Sequence, residues 1–362
     1  MRIVVNDIAA TPNAGGVYSI LEDFYNEVVK NDNKNKWFFL LSGKYFKETD
    51  NVKIIVREDL KKSKVKRLIF ELLNGSRFIN NFKPDIFISL QNISTLGVTA
   101  KKKIVYLHQP IPFQKLVNFK FYKKDERKLF FYQKLVGSII KCSLKIEQPF
   151  VIVQTNWMKR AVLNQVNLSE NKIYIAHPKV EIIDKKSSNI QKNSFFYPAS
   201  NFIYKNHKVI FEAVHLLEQR GINNFKVYLT LHDDQLPFKD KHIYYLGHIK
   251  RNEVFNIYEK SVLLFPSYIE SFGLPLIEAS LKGDIILTAK TEFAKELLAN
   301  YKNAYYFNYN DSRALANLME KVINKEIKAD GSRLQMNNNG ESLLFSIRQI
   351  ARNNLNEFSD VD

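Results

Sequence analysis

Short apolar runs alternate with helix-like segments along this chain, and the series is played twice. In the first half the runs fall at residues 2–6, 37–41, 53–56, 85–90, 103–107, 150–153 and 172–176. The second half repeats the pattern at 194–199, 225–231, 242–246, 262–265, 284–288 and 304–307. Between them lie segments of helical period; Val17, Ile20, Leu21, Phe24 and Val28 make one apolar face after the first run. Strands joined by helices must run parallel, so each half predicts a doubly wound α/β domain. The polar, strand-free segment 181–192 reads as a linker, which places the domains at 1–182 and 193–338. A chain of 362 residues suits two domains of that size. Open parallel sheets take ligands beyond the carboxyl ends of their strands, so two such domains are expected to face a common cleft. A last helical pattern, Leu343, Leu344, Ile347, Ile350, Ala351, Leu355 and Phe358, predicts a terminal helix over 341–358.

One stretch carries chemistry. Val262-Leu263-Leu264-Phe265 reads as a buried strand closed by Pro266-Ser267, and Leu276, Ile277, Ala279 and Leu281 open a packed helix with Pro275 in its first turn. A strand, a loop containing Gly273 and a helix start together form an anion site, because unpaired backbone N–H groups and the positive end of the helix dipole point the same way. Glu270 and Glu278 bracket the turn, eight positions apart. Carboxylates beside a phosphate site are useful when they grip hydroxyls, which suggests a sugar.

This string, Pro-Ser, then Glu-x-Phe-Gly-x-x-x-x-Glu, resembles the signature of retaining GT-B glycosyltransferases of glycosyltransferase family 4. The resemblance implies two Rossmann-like domains and a C-terminal helix that crosses back to the first. It implies that Glu270 and the amides of Phe272, Gly273 and Leu274 hold the donor sugar and diphosphate, and that Glu278 holds the ribose. Lys205 stands between the run 194–199 and the next helix and corresponds to a lysine that contacts the diphosphate. The family's accompanying arginine is Ser200 here, and its glycine after the lysine is Asn206. Either Lys208 or His207 then supplies the second cation, or Lys205 works with backbone amides alone. The resemblance also assigns Gly15 and Gly16 to the donor, places His108 at a strand end beside the sugar, and sets the loop of Gly247 against the nucleobase, with uracil and guanine left open.

Charge narrows the partners. Lys and Arg number 54 against 37 Asp and Glu, a net +17, which favours acidic partners. The basic residues gather in the first half: Lys61, Lys62, Lys64, Lys66 and Arg67 precede an apolar run, and residues 115–134 interleave lysines with Phe119, Phe121, Tyr122, Phe130, Phe131 and Tyr132. Such mixing suits peripheral contact with an anionic membrane, a solvated face over core aromatics, or single-stranded nucleic acid, although no nucleic-acid-binding motif is present. Met1-Arg2-Ile3-Val4-Val5 meets Asn6-Asp7 at once, as a first strand does and a signal peptide does not. With a single Cys142 and no apolar stretch of bilayer length, the expected location is cytoplasmic, with the inner membrane face accessible.

The expected activity is transfer of a sugar, a hexose by resemblance, from a nucleotide-diphosphate donor to a glycan or polyprenyl-diphosphate acceptor, with retention, for a bacterial surface polysaccharide. No cofactor is expected, and no metal on the diphosphate, because Asp233-Asp234 is not an Asp-x-Asp pair. The competing readings are a basic nucleic-acid-binding protein and another GT-B enzyme such as an epimerase.

Overall fold

The computed structural model describes residues 1–12, 15–180, 193–235, 238–335 and 342–352. Its chain divides into two compact units, Met1–Lys179 with Asn339–Asp362, and Val180–Asn338.

The first unit is built on β1 (Arg2–Asp7), β2 (Lys36–Leu41), β3 (Val52–Val56), β4 (Ile86–Ser89), β5 (Lys102–Leu107), β6 (Phe150–Val153) and β7 (Ile173–Ile175). Among the described residues these pair in the order β3-β2-β1-β4-β5-β6-β7, every neighbour parallel. The strand order reverses between β1 and β4, and the loops after those strands splay apart there. The helix Gly16–Asn31 buries Leu21, Phe24, Tyr25 and Val28 on one face of this sheet.

The terminal helix Leu343–Arg352 joins the same core through Leu344, Ile347 and Ile350. The Ser342 hydroxyl donates to Glu27, and Arg348 donates to the carbonyl of Asn31 at 2.6 Å, so the helix is tied beside Gly16–Asn31 on the same sheet. The crossing back to the first domain is therefore present. Leu355 and Phe358 lie outside the described residues, as does the expected linker 181–192.

The second unit repeats the plan with β8 (Ser194–Tyr197), β9 (Lys226–Leu229), β10 (Ile243–Tyr245), β11 (Val262–Phe265), β12 (Ile286–Ala289) and β13 (Ala304–Phe307). The described strands run parallel in the order β10-β9-β8-β11-β12-β13, reversing between β8 and β11. Several strands stop earlier than their apolar runs. The run 194–199 ends as strand at Tyr197 because Pro198 has no N–H to give a ladder. The residues that follow are the loops that build the site.

The basic segments of the first unit, whose elements the sequence left unassigned, are helical over 64–80 and from Arg127 onward, while 115–126 are turns and irregular chain. Helices Lys64–Ile69 and Gly75–Asn80 flank a π turn at Phe70–Asn74, and Arg127–Phe131 and Gly137–Glu147 flank another at Tyr132–Val136.

Candidate functional site

The densest grouping of predicted site residues stands at the carboxyl edge of the second sheet, where its strand order reverses. The loop after β8 makes a single 3-10 turn, Ile203–Lys205, and the loop after β11 carries Ser267 and Glu270. The two loops are stapled together. The amide of Tyr268 donates to the carbonyl of Tyr204 at 3.1 Å, and the Asn206 carboxamide donates to the carbonyls of Tyr309 at 2.6 Å and Pro266 at 3.4 Å. Lys205 Nζ thereby meets Glu270 Oε1 at 2.5 Å, both side chains largely shielded from water. Ser267, fully buried, donates to the same carboxylate oxygen at 2.6 Å, while the Tyr197 hydroxyl donates to the Lys205 carbonyl at 2.9 Å. A carboxylate with two donors on one oxygen keeps its other oxygen for a ligand hydroxyl.

Asn206 answers the question that its place in the motif raised. It sits in the left-handed region at φ 60° and ψ 41°, as the N-cap of helix His207–Gln219. Only glycine and, at modest cost, asparagine enter that region readily. The second-cation candidates fare differently. His207 is buried, its ring 5.0 Å from that of Tyr197, and burial together with the adjacent Lys205 pushes it down to about 4, so it is neutral near pH 7. Lys208 is 85 % exposed and faces Glu212 at 3.6 Å. His207 therefore carries no charge here near pH 7, and Lys208 stands in solvent beside Glu212. Lys205 is the lysine of this loop that is held among the site's polar groups.

The backbone amides expected at this site belong to the helix Leu274–Lys282, which starts from Gly273 at φ 100°, with Pro275 in its first turn. A side chain at Gly273 would be strained by that φ, so the glycine is what lets the chain turn directly from loop to helix. Phe272 is buried and anchors the turn, offering the site its backbone alone. One turn further, Glu278 is 6 % exposed. Its Oε1 accepts from the Arg251 guanidinium at 2.7 Å and its Oε2 from the Tyr258 hydroxyl at 3.1 Å. Periodicity and motif spacing missed both partners; the available signal was a cation at a helix start just after the Gly247 loop.

Beside this lies a pocket of about 280 Å³, lined by Pro198, Ala199, Ser200, Thr230, His248, Ile249 and Val254. Gly247 stands at its rim, packed so closely on His232 that an added Cβ would come within 2.9 Å of that ring. Ser200, in place of the expected arginine, is exposed and lines the pocket.

Three predicted residues belong to the first unit. Gly15 caps helix Gly16–Asn31 at φ 59° and ψ −132°, a combination open to glycine alone, and a Cβ at Gly15 or Gly16 would meet nothing within 4 Å. His108 follows β5, and its backbone N–H and that of Gln109 donate to Asn92 Oδ1 at 2.7 and 2.8 Å. Asn92 Nδ2 in turn lies 3.2 Å from His108 Nε2, which makes Nε2 the acceptor and leaves the proton on Nδ1. Burial pushes His108 down to about 4. A neutral ring with an N–H can donate a hydrogen bond near pH 7 but is a poor base there. The sheet's same edge holds two acids that sequence reasoning missed. Asp7 ends β1 with its carboxyl pushed up to about 8 by burial, and Glu71 accepts from Asn6, Gln91 and Thr95.

Comparison with known proteins agrees with this arrangement. Residues 179–343, which contain the whole Lys205–Glu278 site, match the family model for glycosyl transferases group 1. The O-antigen chain mannosyltransferase RfbU of Salmonella typhimurium is 24% identical over 212 residues, and the match spans 56% of this chain and 58% of that protein. Among solved structures, the fold resembles WaaG, a glycosyltransferase involved in lipopolysaccharide biosynthesis, with TM-score 0.65 and 12% identity over 96% of this chain and 98% of that one. It also resembles Anabaena HepE, solved with UDP and glucose, with TM-score 0.61 and 13% identity over 91% of this chain and 92% of that one. The architecture is GT-B: two Rossmann-like parallel-sheet units and a terminal helix returned to the first.

Proposed function

We propose that this protein transfers a sugar from a nucleoside-diphosphate donor to an acceptor hydroxyl, with retention of anomeric configuration. The observation that carries the reading is the Lys205–Glu270 pair, delivered by the two loops that flank the β8/β11 reversal and backed by the start of helix Leu274–Lys282. In this reading the Lys205 ammonium and the helix-start amides take up charge as the diphosphate leaves. Glu270 holds a sugar hydroxyl on the oxygen that Ser267 and Lys205 leave open. Glu278, oriented by Arg251 and Tyr258, accepts from the ribose, and the neighbouring pocket is of a size for a nucleobase. The site has carboxylates engaged in holding rather than attacking, so retention is assigned to attack on the face from which the diphosphate departs, with a donor phosphate oxygen taking the acceptor proton.

The acceptor is a growing glycan, carried on a polyprenyl diphosphate, in bacterial surface polysaccharide synthesis; the names of RfbU and WaaG support this direction. Among the described residues no helix is long and apolar enough to cross a membrane. The first unit nevertheless presents Val65, Leu68, Ile69 and Leu73, and again Leu116, Phe121, Tyr122, Phe131 and Leu135, to water amid the lysines of the same segments. Exposed apolar side chains among cations fit the boundary of an anionic bilayer, where a lipid-linked acceptor is found.

A screen of nucleoside diphosphates and nucleotide sugars by thermal shift tests the donor, followed by NMR of the product's anomeric proton. Stabilisation by one nucleotide class and a product with the donor's configuration are expected. Failure of all nucleotides to stabilise the fold would overturn the reading.

A further inference from the structure

His242 leads into β10, the outer strand of the second sheet, and is 5 % exposed. Its ring stacks on Phe225 with centroids 4.3 Å apart and planes 12° from parallel. Nδ1 lies 3.1 Å from the Phe225 carbonyl oxygen, to which it donates, which orients the ring with Nε2 toward Glu218. Nε2 is buried without a hydrogen-bond partner. It faces Glu218 Oε1 at 3.6 Å, beyond hydrogen-bond distance. Asp240 completes the group: one ligand atom from each of Glu218, Asp240 and His242 lies within 4.8 Å of the others. A tetrahedral cation with bonds of 2.0–2.1 Å spaces its ligands roughly 3.4 Å apart, close to the His242–Glu218 separation.

We propose that His242 Nε2, Glu218 and Asp240 hold a structural divalent cation, Zn²⁺ by ligand chemistry. One imidazole nitrogen and two carboxylates suit that borderline ion better than the all-oxygen shells of Mg²⁺ or Ca²⁺. The remaining charged groups at the site are accounted for. Asp240 Oδ1 already accepts the His242 backbone N–H at 2.7 Å, which orients the carboxylate. Lys241 Nζ stands 3.5 Å from Glu218 Oε1 on a side chain 66 % exposed, and a bound cation displaces it into water. Glu218 belongs to the last turn of helix His207–Gln219, whereas Asp240 and His242 precede β10 and Phe225 precedes β9. The site is thus at the amino ends of these strands, the opposite edge of the sheet from Lys205 and Glu270. It clamps an edge strand of three residues to a helix and takes no part in sugar transfer.

The test uses the full-length, untagged protein, stripped with chelator and then titrated with Zn²⁺, reading bound metal by mass spectrometry and Tm by calorimetry. One equivalent of zinc and a rise in Tm reversed by EDTA are expected. Glu218→Gln and Asp240→Asn should fold but weaken zinc binding at least tenfold and lose the Tm rise. Lys241→Gln should bind as tightly as wild type or tighter, and His215→Gln, which removes an exposed histidine outside the cluster, should bind zinc as wild type does. Zinc that is absent, or that binds Glu218→Gln unchanged, overturns the site. So does a pair stabilised by protonation alone, seen as a Tm that depends on pH and on Glu218 but not on zinc.

Discussion

At the scale of single residues, the site is a set of polar groups positioned by neighbours far away in sequence. Glu278 meets Arg251 across 27 positions and Lys205 meets Glu270 across 65, separations at which periodicity carries no information. This is why the motif residues could be named from sequence while Arg251 and Tyr258 could not. It is also why the sequence alone leaves His207 eligible as a cation: its burial is a tertiary fact. The geometry divides the expected losses. Glu278→Ala should weaken nucleoside-diphosphate binding by roughly 1.5–3 kcal/mol, the usual worth of hydrogen bonds to a charged group, measured by calorimetric titration. Lys205→Ala should leave that affinity less affected and lower kcat by about 10²–10³, as for other fixed charges on a developing anion. Wild-type binding by Glu278→Ala, or wild-type turnover by Lys205→Ala, would reject these roles.

His207 also makes a prediction with a sign. Its folded value, about 4, is below the ordinary 6.5, so the unfolded chain takes up the proton first as pH falls. The stability this neutral ring permits is complete above about pH 6.5 and is lost as pH falls toward 4. Between pH 7 and pH 5 the loss from His207 is about 2 kcal/mol. Urea unfolding of His207→Phe should show a shallower decline over that interval than wild type; identical slopes would mean the ring is not held neutral.

At the scale of elements, strands were the legible part. A parallel strand covered on both faces is a continuous apolar run, and Val262–Phe265 or Ile86–Ser89 could be read directly as such. The basic helices were harder, because Val65, Leu68, Leu73 and Leu135 point into water and so blur the amphipathic period that marks a helix on a core. In the membrane reading proposed above, these side chains meet the bilayer. The protein should bind vesicles containing anionic lipid and leave neutral ones alone. Replacing Lys62, Lys64 and Lys66 by Gln should reduce binding by about 1 kcal/mol or less per charge, and less at high salt. Lys61 is set apart because its ammonium donates to the Ala9 carbonyl at 2.7 Å. Leu73→Ser with Leu135→Ser should reduce binding even where salt has screened the lysines. In competition with single-stranded oligonucleotide, a win for the oligonucleotide would sink the membrane reading.

At the scale of the whole molecule, the two units have separate sheets with separate reversal points, and the residues assigned to the nucleotide fall in Val180–Asn338. Two repeats of one grammar were legible because each repeat must bury its own sheet. The site within the second was legible because its turn needs particular residues: a glycine at φ 100°, a proline in the first helical turn, and a carboxylate one turn on. Binding to a preformed site of this kind stabilises the folded state by mass action, by about 2.7 kcal/mol at a hundredfold excess over Kd. That stabilisation should appear locally before it appears globally, since local opening sets amide exchange. In hydrogen exchange of the full chain with saturating nucleoside diphosphate, protection should therefore rise in peptides covering Tyr204–Val209 and Ser267–Glu278. Peptides covering the exposed helix Lys64–Ile69 should be unchanged. If, as proposed, Lys205 and the helix-start amides meet the diphosphate without a metal, the same experiment in EDTA should give the same map. Protection that vanishes in EDTA and returns with magnesium would show that a cation, and not Lys205 with the amides, does the binding.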